Sequence, residues 1–203
     1  MDPVIQVVRV TGADMLPWLE HVARLRIAVF RDFPYLYDGD MAYEREYLEA
    51  LSHASGGVLV LALDDAGVPV GASTGMPLVE AEAAIREPFQ QANLAEDQIF
   101  YCGESVLLPA YRGRGLGHRF FDEREAHARS LRGIRTSAFA SVVRAAGDPR
   151  CPAEYHSNHA FWNGRGYREH PNLRATLAWK EVGATAQSDH ALTFWLRELE
   201  TSQ

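Results

Sequence analysis

The sequence predicts a mixed α/β layer built on one mainly antiparallel sheet. Three observations carry this. Short β-branched or apolar runs are bounded by turn residues, and amphipathic segments of helical period lie between them. Their order is strand, two helices, hairpin, strand–loop–helix–strand, short helix, then two strands. At 203 residues and 47% apolar content the chain is expected to form a single domain over residues 1–203 with a real core.

Residues 4–10 are short and β-branched and read as the first strand, which Thr11-Gly12 breaks. Residues 13–31 place Leu16, Leu19, Val22, Ala23, Ile27 and Phe30 at helical spacing, with Pro17 near the start. A loop with three aromatics follows, then a second helix over 42–51. Residues 57–63 are continuously apolar, as in a strand buried on both faces, and "DDAG" turns the chain into a hairpin partner over 68–76. A polar helix is expected over 79–93, a strand over 98–108 ended by Pro109, and an amphipathic helix over 116–131. The charged run 123–129 reads as that helix's wet face. A strand over 134–143, a short helix over 158–165 closed by Gly166, and strands over 173–182 and 190–199 complete the chain.

Net charge is −7, from 20 basic and 27 acidic side chains, so no nucleic-acid partner is expected. Two cysteines make no disulfide framework. No leader sequence and no apolar run of membrane-spanning length stands out, so no membrane partner is expected and the cytoplasm is the expected location. Cys151, His156 and His159 match no zinc spacing and no metal is expected. Cys102 reads as a small buried residue rather than a nucleophile.

The informative stretch is "LPAYRGRGLGHRFF", residues 108–121. A strand that stops at a proline and reopens as a helix leaves helical N–H groups unpaired, with the helix dipole adding positive potential. Glycines at 113, 115 and 117 let a ligand reach the backbone, and Arg112, Arg114 and Arg119 add charge against an acidic background. The pattern reads as an anion site suited to phosphate or diphosphate, the alternative being a glycine-rich turn with solvated arginines. A dinucleotide fingerprint does not fit, because the third glycine comes one residue early. No Gly-Lys-Ser/Thr of a P-loop follows.

Arg112-Gly113-Arg114-Gly115-Leu116-Gly117 resembles the R/Q-x-x-G-x-G/A signature of the GNAT N-acetyltransferase superfamily, and "SVLLPAYRGRGLG" is similar to its lead-in. "NHAFWNGRGYRE", residues 158–169, resembles the superfamily's second motif. The resemblance implies a sheet of six to seven strands splayed between the fourth and fifth, here 98–108 and 134–143. It implies that acetyl-CoA is the co-substrate. Its pyrophosphate would be held by the backbone N–H groups of Arg112, Gly113, Arg114, Gly115, Leu116 and Gly117, with His118. Val106 and Leu107 would pair with the pantetheine arm, Asn158 would contact it and Phe161 would line its groove.

The implied reaction is transfer of acetyl to a primary amine of a small molecule or peptide by direct attack. Strand alternation puts Glu104 on one face with Phe100, Cys102, Val106 and Leu108, as the only carboxylate there. Glu104 is the candidate base. The alternative is a carboxylate paired with a structural arginine. The superfamily often offers a tyrosine as proton donor where this chain has Trp162, and Tyr155 is the substitute candidate. Phe30, Tyr35 and Tyr37, beside several aspartates, are candidate acceptor-binding residues. A non-catalytic acyl-CoA-binding or regulatory module is the alternative function, and a plain anion-binding domain a third. The apolar last strand is a candidate edge for a homodimer.

Overall fold

The computed structural model of the protein describes residues 4–200. Positions 1–3 and 201–203, the ends of the domain expected over 1–203, lie outside the described residues. Strand β1 (Gln6–Val10) leads into a 3-10 stretch (Gly12–Trp18) and helix α1 (Leu19–Phe30). The single helix expected over 13–31 is therefore divided, with Pro17 in the tighter 3-10 part. Helix α2 (Met41–His53) starts where Asp40 caps it, accepting from the N–H groups of Ala42 and Tyr43 at 2.7 and 3.0 Å. The hairpin β2 (Val58–Leu63) and β3 (Pro69–Pro77) is followed by α3 (Ala83–Gln91). Then come β4 (Ile99–Cys102), β5 (Ser105–Leu107), α4 (Leu116–Ser130), β6 (Thr136–Val142), α5 (His159–Gly164), β7 (Arg168–Lys180) and β8 (Gln187–Glu198).

The sheet runs β1-β2-β3-β4-β6-β8-β7, with β5 on β3, and its pairs are antiparallel except β4 with β6. All of β2 is buried because both faces are covered. Val58, Val60 and Ala62 pack toward α4 with Phe120, Phe121 and Trp195, while Leu59, Leu61 and Leu63 pack toward α1 and α2. A further cluster joins Ile85 and Phe89 of α3 to Ile99, Tyr101, Leu192 and Phe194.

Three expectations are corrected. The strand expected over 98–108 is broken at Gly103 and Glu104. Gly103 N–H donates to the Thr74 carbonyl (3.2 Å) and Thr74 N–H donates to the Glu104 carbonyl (3.1 Å). Two residues thus face one, a β-bulge, and the alternation shifts beyond it. Glu104 consequently leaves the face of Phe100 and Cys102, which point to the α4 core, and joins Tyr101 on a cavity wall. Second, the last strand is no edge. β8 lies between β6 and β7, and Trp195 is 2% exposed with its indole N–H donating to Ser141 Oγ at 3.0 Å. The candidate dimer edge is thereby removed. Third, the 123–129 run is not wholly wet, since Arg124 and Glu125 are buried. Glu125 accepts from Tyr167 Oη and Arg197, and Arg124 reaches across to the bulge.

Two outcomes follow from this packing. A Cβ on Gly103 would come within 2.6 Å of Tyr47 Oη and 2.7 Å of Thr74 Oγ1. Gly103→Ala is expected to cost about 1–3 kcal/mol, read as a lower urea midpoint; an unchanged midpoint would show that the bulge has slack. Cys102 is buried, and burial pushes its thiol pKa up, whereas Cys151 is exposed. Ellman's reagent should titrate one thiol in the folded protein and the second only after unfolding; two fast thiols would contradict the packing.

Candidate active site

The loop at the start of α4 is built from its glycines. Pro109 opens a 3-10 turn (Pro109–Tyr111), and Gly113 and Gly115 follow at φ +76° and +75°, where side-chain-bearing residues are strained. Gly115 is the N-cap of α4, and the first N–H to find a helical carbonyl is that of Arg119, on Gly115. Among the described residues the N–H groups of Gly113 and of residues 115–118 have no acceptor. They converge at the positive end of a 15-residue helix. Arg112 Nε donates to the Leu107 carbonyl at 3.2 Å, and Arg114 lies over the Tyr111 ring. The His118 ring meets Phe161 edge-on at 4.8 Å, and the Phe161 ring stands beside Gly117. Asn158 caps α5 without using its side chain. The fold thus gathers the glycine loop, His118 and Phe161, with Asn158 at the head of the same short helix.

Beside the loop, two strands part. β4 runs parallel to β6 from Ile99↔Thr136 to Cys102↔Phe139. After the bulge, β5 pairs only with β3, while β6 continues through Val142 on β8. The sheet therefore opens between β5 and the second half of β6. The β5–β3 ladder is bracketed by Thr74 N–H on the Glu104 carbonyl and Leu108 N–H on the Val70 carbonyl, so by antiparallel alternation the peptide groups of Val106 also face β3. Those of Ser105 and Leu107 face the opening. Of the expected pair, Leu107 presents its backbone there, and Ser105 is a residue that sequence reasoning did not single out.

Glu104 sits where the opening meets the cavity and is 6% exposed. Its Oε2 receives Arg26 Nη1 at 2.5 Å and Tyr47 Oη at 3.0 Å, whereas its Oε1 is buried with no partner among the described residues. Arg26 is also bonded to buried Glu44. Burial works against the Arg26 charge, yet Glu104, Tyr47 and Glu44 hold its pKa well above the ordinary value. Burial raises the Glu44 pKa, opposed by Arg26. Burial also pushes Tyr47 far up and Tyr35 to about 12, so both hydroxyls stay protonated. The pairing of Glu104 with an arginine, weighed as an alternative to a catalytic role, is present, and it leaves one carboxylate oxygen free.

The cavity encloses about 490 Å³. Phe30, Tyr35 and Tyr37 line it together with Glu104, Tyr47 and Trp179. Its roof, residues 31–39, is tied to β7 and the adjoining turn by Asp38 N–H to the Lys180 carbonyl, Val182 N–H to the Leu36 carbonyl and Trp179 Nε1 to the Tyr35 carbonyl. Tyr155 stands outside the cavity wall, its ring edge-on to Phe33 at 4.8 Å. Trp162, at the position where a tyrosine donor was sought, is half-buried and packs against Phe139 and Trp195 of the core. Sequence reasoning also missed Arg26, Glu44 and Arg124. A signal existed for each: a charge inside an apolar helical stripe, as in Val22–Arg26–Phe30, Glu44–Leu48–Leu51 and Phe120–Arg124–Ala128. No group of three or more metal-ligating side chains occurs among the described residues, and no described helix is long and apolar enough to cross a membrane.

Comparison with known proteins bears on this geometry. The family model described as "Acetyltransferase (GNAT) family" matches residues 22–152. No curated protein sequence matches significantly. Among solved structures, a GNAT-family acetyltransferase from Staphylococcus aureus Mu50 is 15% identical, with 97% of this chain and 100% of that one covered at a TM-score of 0.58. Arabidopsis thaliana NAA60 in complex with acetyl-CoA is 13% identical, with 97% and 99% covered and a TM-score of 0.61. An acetyltransferase from Thermus thermophilus is 19% identical, with 97% of each chain covered and a TM-score of 0.53. At these identities the structural likeness is one of fold. The family match spans well over half of the 203 residues, and the chain belongs to the GNAT family of acetyltransferases.

Proposed function

We propose that the protein is one catalytic domain, an acyl-CoA-dependent N-acyltransferase that moves acetyl from acetyl-CoA to a primary amine of a small molecule or peptide by direct attack. One observation carries this reading: a row of acceptor-free amides leads into an opened sheet, and the opening ends at an unpartnered carboxylate oxygen on a cavity wall. The co-substrate's diphosphate would take the N–H groups of Gly113 and residues 115–118; the expected Arg112 amide is not among them, because it is donated to the Pro109 carbonyl at 3.1 Å. Its pantetheine arm would lie along Leu107 and Ser105, with Asn158 and Phe161 on the far side of the groove. The amine would enter through the aromatic cavity of Phe30, Tyr35 and Tyr37.

The proton sets the chemistry. Between an ordinary carboxylate and an alkylammonium lie about six pKa units, about 8 kcal/mol, so a carboxylate does not simply strip a resting ammonium. The proton moves as the new C–N bond forms, because the nitrogen then becomes far more acidic. Glu104 Oε1, which has no partner among the described residues, would receive it, directly or through one water, while Arg26 and Tyr47 fix the carboxylate through Oε2. Negative charge growing on the thioester oxygen would be met by a gap-facing N–H of β5. For the leaving thiolate, Tyr155 lies just upstream of α5 but off the cavity wall, so the thiolate leaves without a proton from the protein or draws Tyr155 inward. The alternative, an acyl-CoA-binding module without turnover, is favoured by one feature, the tryptophan, half-buried against the core, at the donor position.

Glu104→Gln is expected to lower kcat by about 10²–10³ while the calorimetric affinity for acetyl-CoA stays within about twofold. Full turnover in this variant would remove Glu104 from the chemistry, and thiol release with no amine panel member would favour the binding module. Gly115→Val places a β-branched residue at positive φ with no neighbour to strike. It should weaken acetyl-CoA binding about tenfold, a cost of about 1.4 kcal/mol, and unchanged binding would show that the loop does not hold the diphosphate.

A further inference from the structure

Resting on the acyl-transfer reading, we propose that the acceptor is a dication. It is an amine bearing a second ammonium or guanidinium group and no carboxylate, with its reacting end at Glu104 and its distal cation at Glu82. Five carboxylates and two cations line the cavity. Both cations are already committed: Arg26 to Glu44 and Glu104, and Lys180 to Asp38 at 2.7 Å. Of the acids, Asp38 alone is ion-paired to a cation other than Arg26, holding Lys180 and Arg31, while Asp40 Oδ1 caps α2 and Glu80 Oε1 takes the hydroxyl and N–H of Ser55. The other two carboxylates offer the recognition groups. One is Glu104 Oε1, buried and unpartnered beside the sheet opening. The other is Glu82, exposed at the rim just before α3, whose carboxylate has no hydrogen-bond or ion-pair partner among the described residues.

Charge balance supports the same reading. Arg26 faces two buried carboxylates, so that cluster keeps one net negative charge, which a ligand cation at Glu104 would neutralise. The same cavity is walled by aromatic residues, with Tyr35, Tyr43 and Trp179 offering ring surface to a methylene chain or a cation. The cavity has no uncommitted cation among the described residues to receive a carboxylate, so an α-amino acid would bury its carboxylate beside unopposed acids. Glu82 therefore sets specificity without touching the reacting atoms.

The test compares 1,5-diaminopentane, n-pentylamine and 5-aminopentanoate as acceptors for the full chain, with thiol release as readout. The diamine should exceed n-pentylamine in kcat/KM by about five- to tenfold, with 5-aminopentanoate poorest. Glu82→Gln should bring the diamine to within about twofold of n-pentylamine through KM alone, leaving n-pentylamine and kcat unchanged, and Glu82→Lys should raise 5-aminopentanoate above the diamine. Equal use of diamine and monoamine by the wild type, or an intact preference in Glu82→Gln, overturns the inference while leaving acyl transfer standing. If no amine releases thiol, calorimetry with 1,5-diaminopentane decides. Binding lost in Glu82→Gln keeps the dication site and removes the acyl-transfer reading, whereas no binding to the wild type overturns the site itself.

Discussion

Three donors converge on the main-chain carbonyl of Glu104: Ser73 Oγ at 2.9 Å, Arg124 Nη1 at 3.0 Å and Thr74 N–H at 3.1 Å. The rest of the site depends on this point. An ordinary strand carbonyl takes one ladder bond, and here a guanidinium 2% exposed is spent on it. Burying that charge costs several kcal/mol even after relaxation, and the Phe121 ring at 4.7 Å and the Thr74 carbonyl offset part of it. In return the extra residue of the bulge is pinned. β5 stays on β3, β6 goes on with β8, and the sheet opens between them. The same bulge turns the Glu104 side chain away from the α4 core and onto the cavity.

The second constraint is electrostatic. Arg26 ties α1, α2 and the bulge together by bonding Glu44 and Glu104 at once. Removing Arg26 would leave two buried carboxylates uncompensated, a loss of about 3–5 kcal/mol, so the cluster has a structural reason to exist apart from any reaction. That duality explains why Glu104 is both an ion-pair member and a reactive candidate. Its two oxygens are divided, Oε2 bonded to Arg26 and Tyr47 and Oε1 without a partner among the described residues. The tyrosine hydroxyls around it keep their protons because burial disfavours the phenolate, so they position by donating rather than by taking protons.

Much of this was legible in the sequence, for local reasons. The glycine loop announces itself because positive φ at Gly113 and Gly115 is a property of residue type, and the buried hairpin because Val58–Leu63 is apolar at every position. The rest is set by contacts between distant residues. The bulge depends on Arg124, Ser73 and Thr74 meeting Glu104, so simple alternation assigned Glu104 to the wrong face. The inner place of β8 depends on β7 folding outside it, and an apolar strand reads alike whether its neighbour is a protein strand or a second copy. Ser105 and Glu82 carry no local signal, since their significance lies in a ladder's parity and in which other carboxylates are occupied. Arg26, Glu44 and Arg124 could have been flagged as charges within apolar stripes, but only the fold shows that the first two meet.

The account is tested most directly by a crystal structure of the protein with coenzyme A. It predicts the diphosphate within hydrogen-bond distance of the Gly113 N–H and those of residues 115–118, the pantetheine amides against Leu107 and Ser105 in the open sheet, and the thiol directed at Glu104. A coenzyme bound elsewhere, or β5 and β6 hydrogen-bonded to each other along the whole of β5, would contradict it.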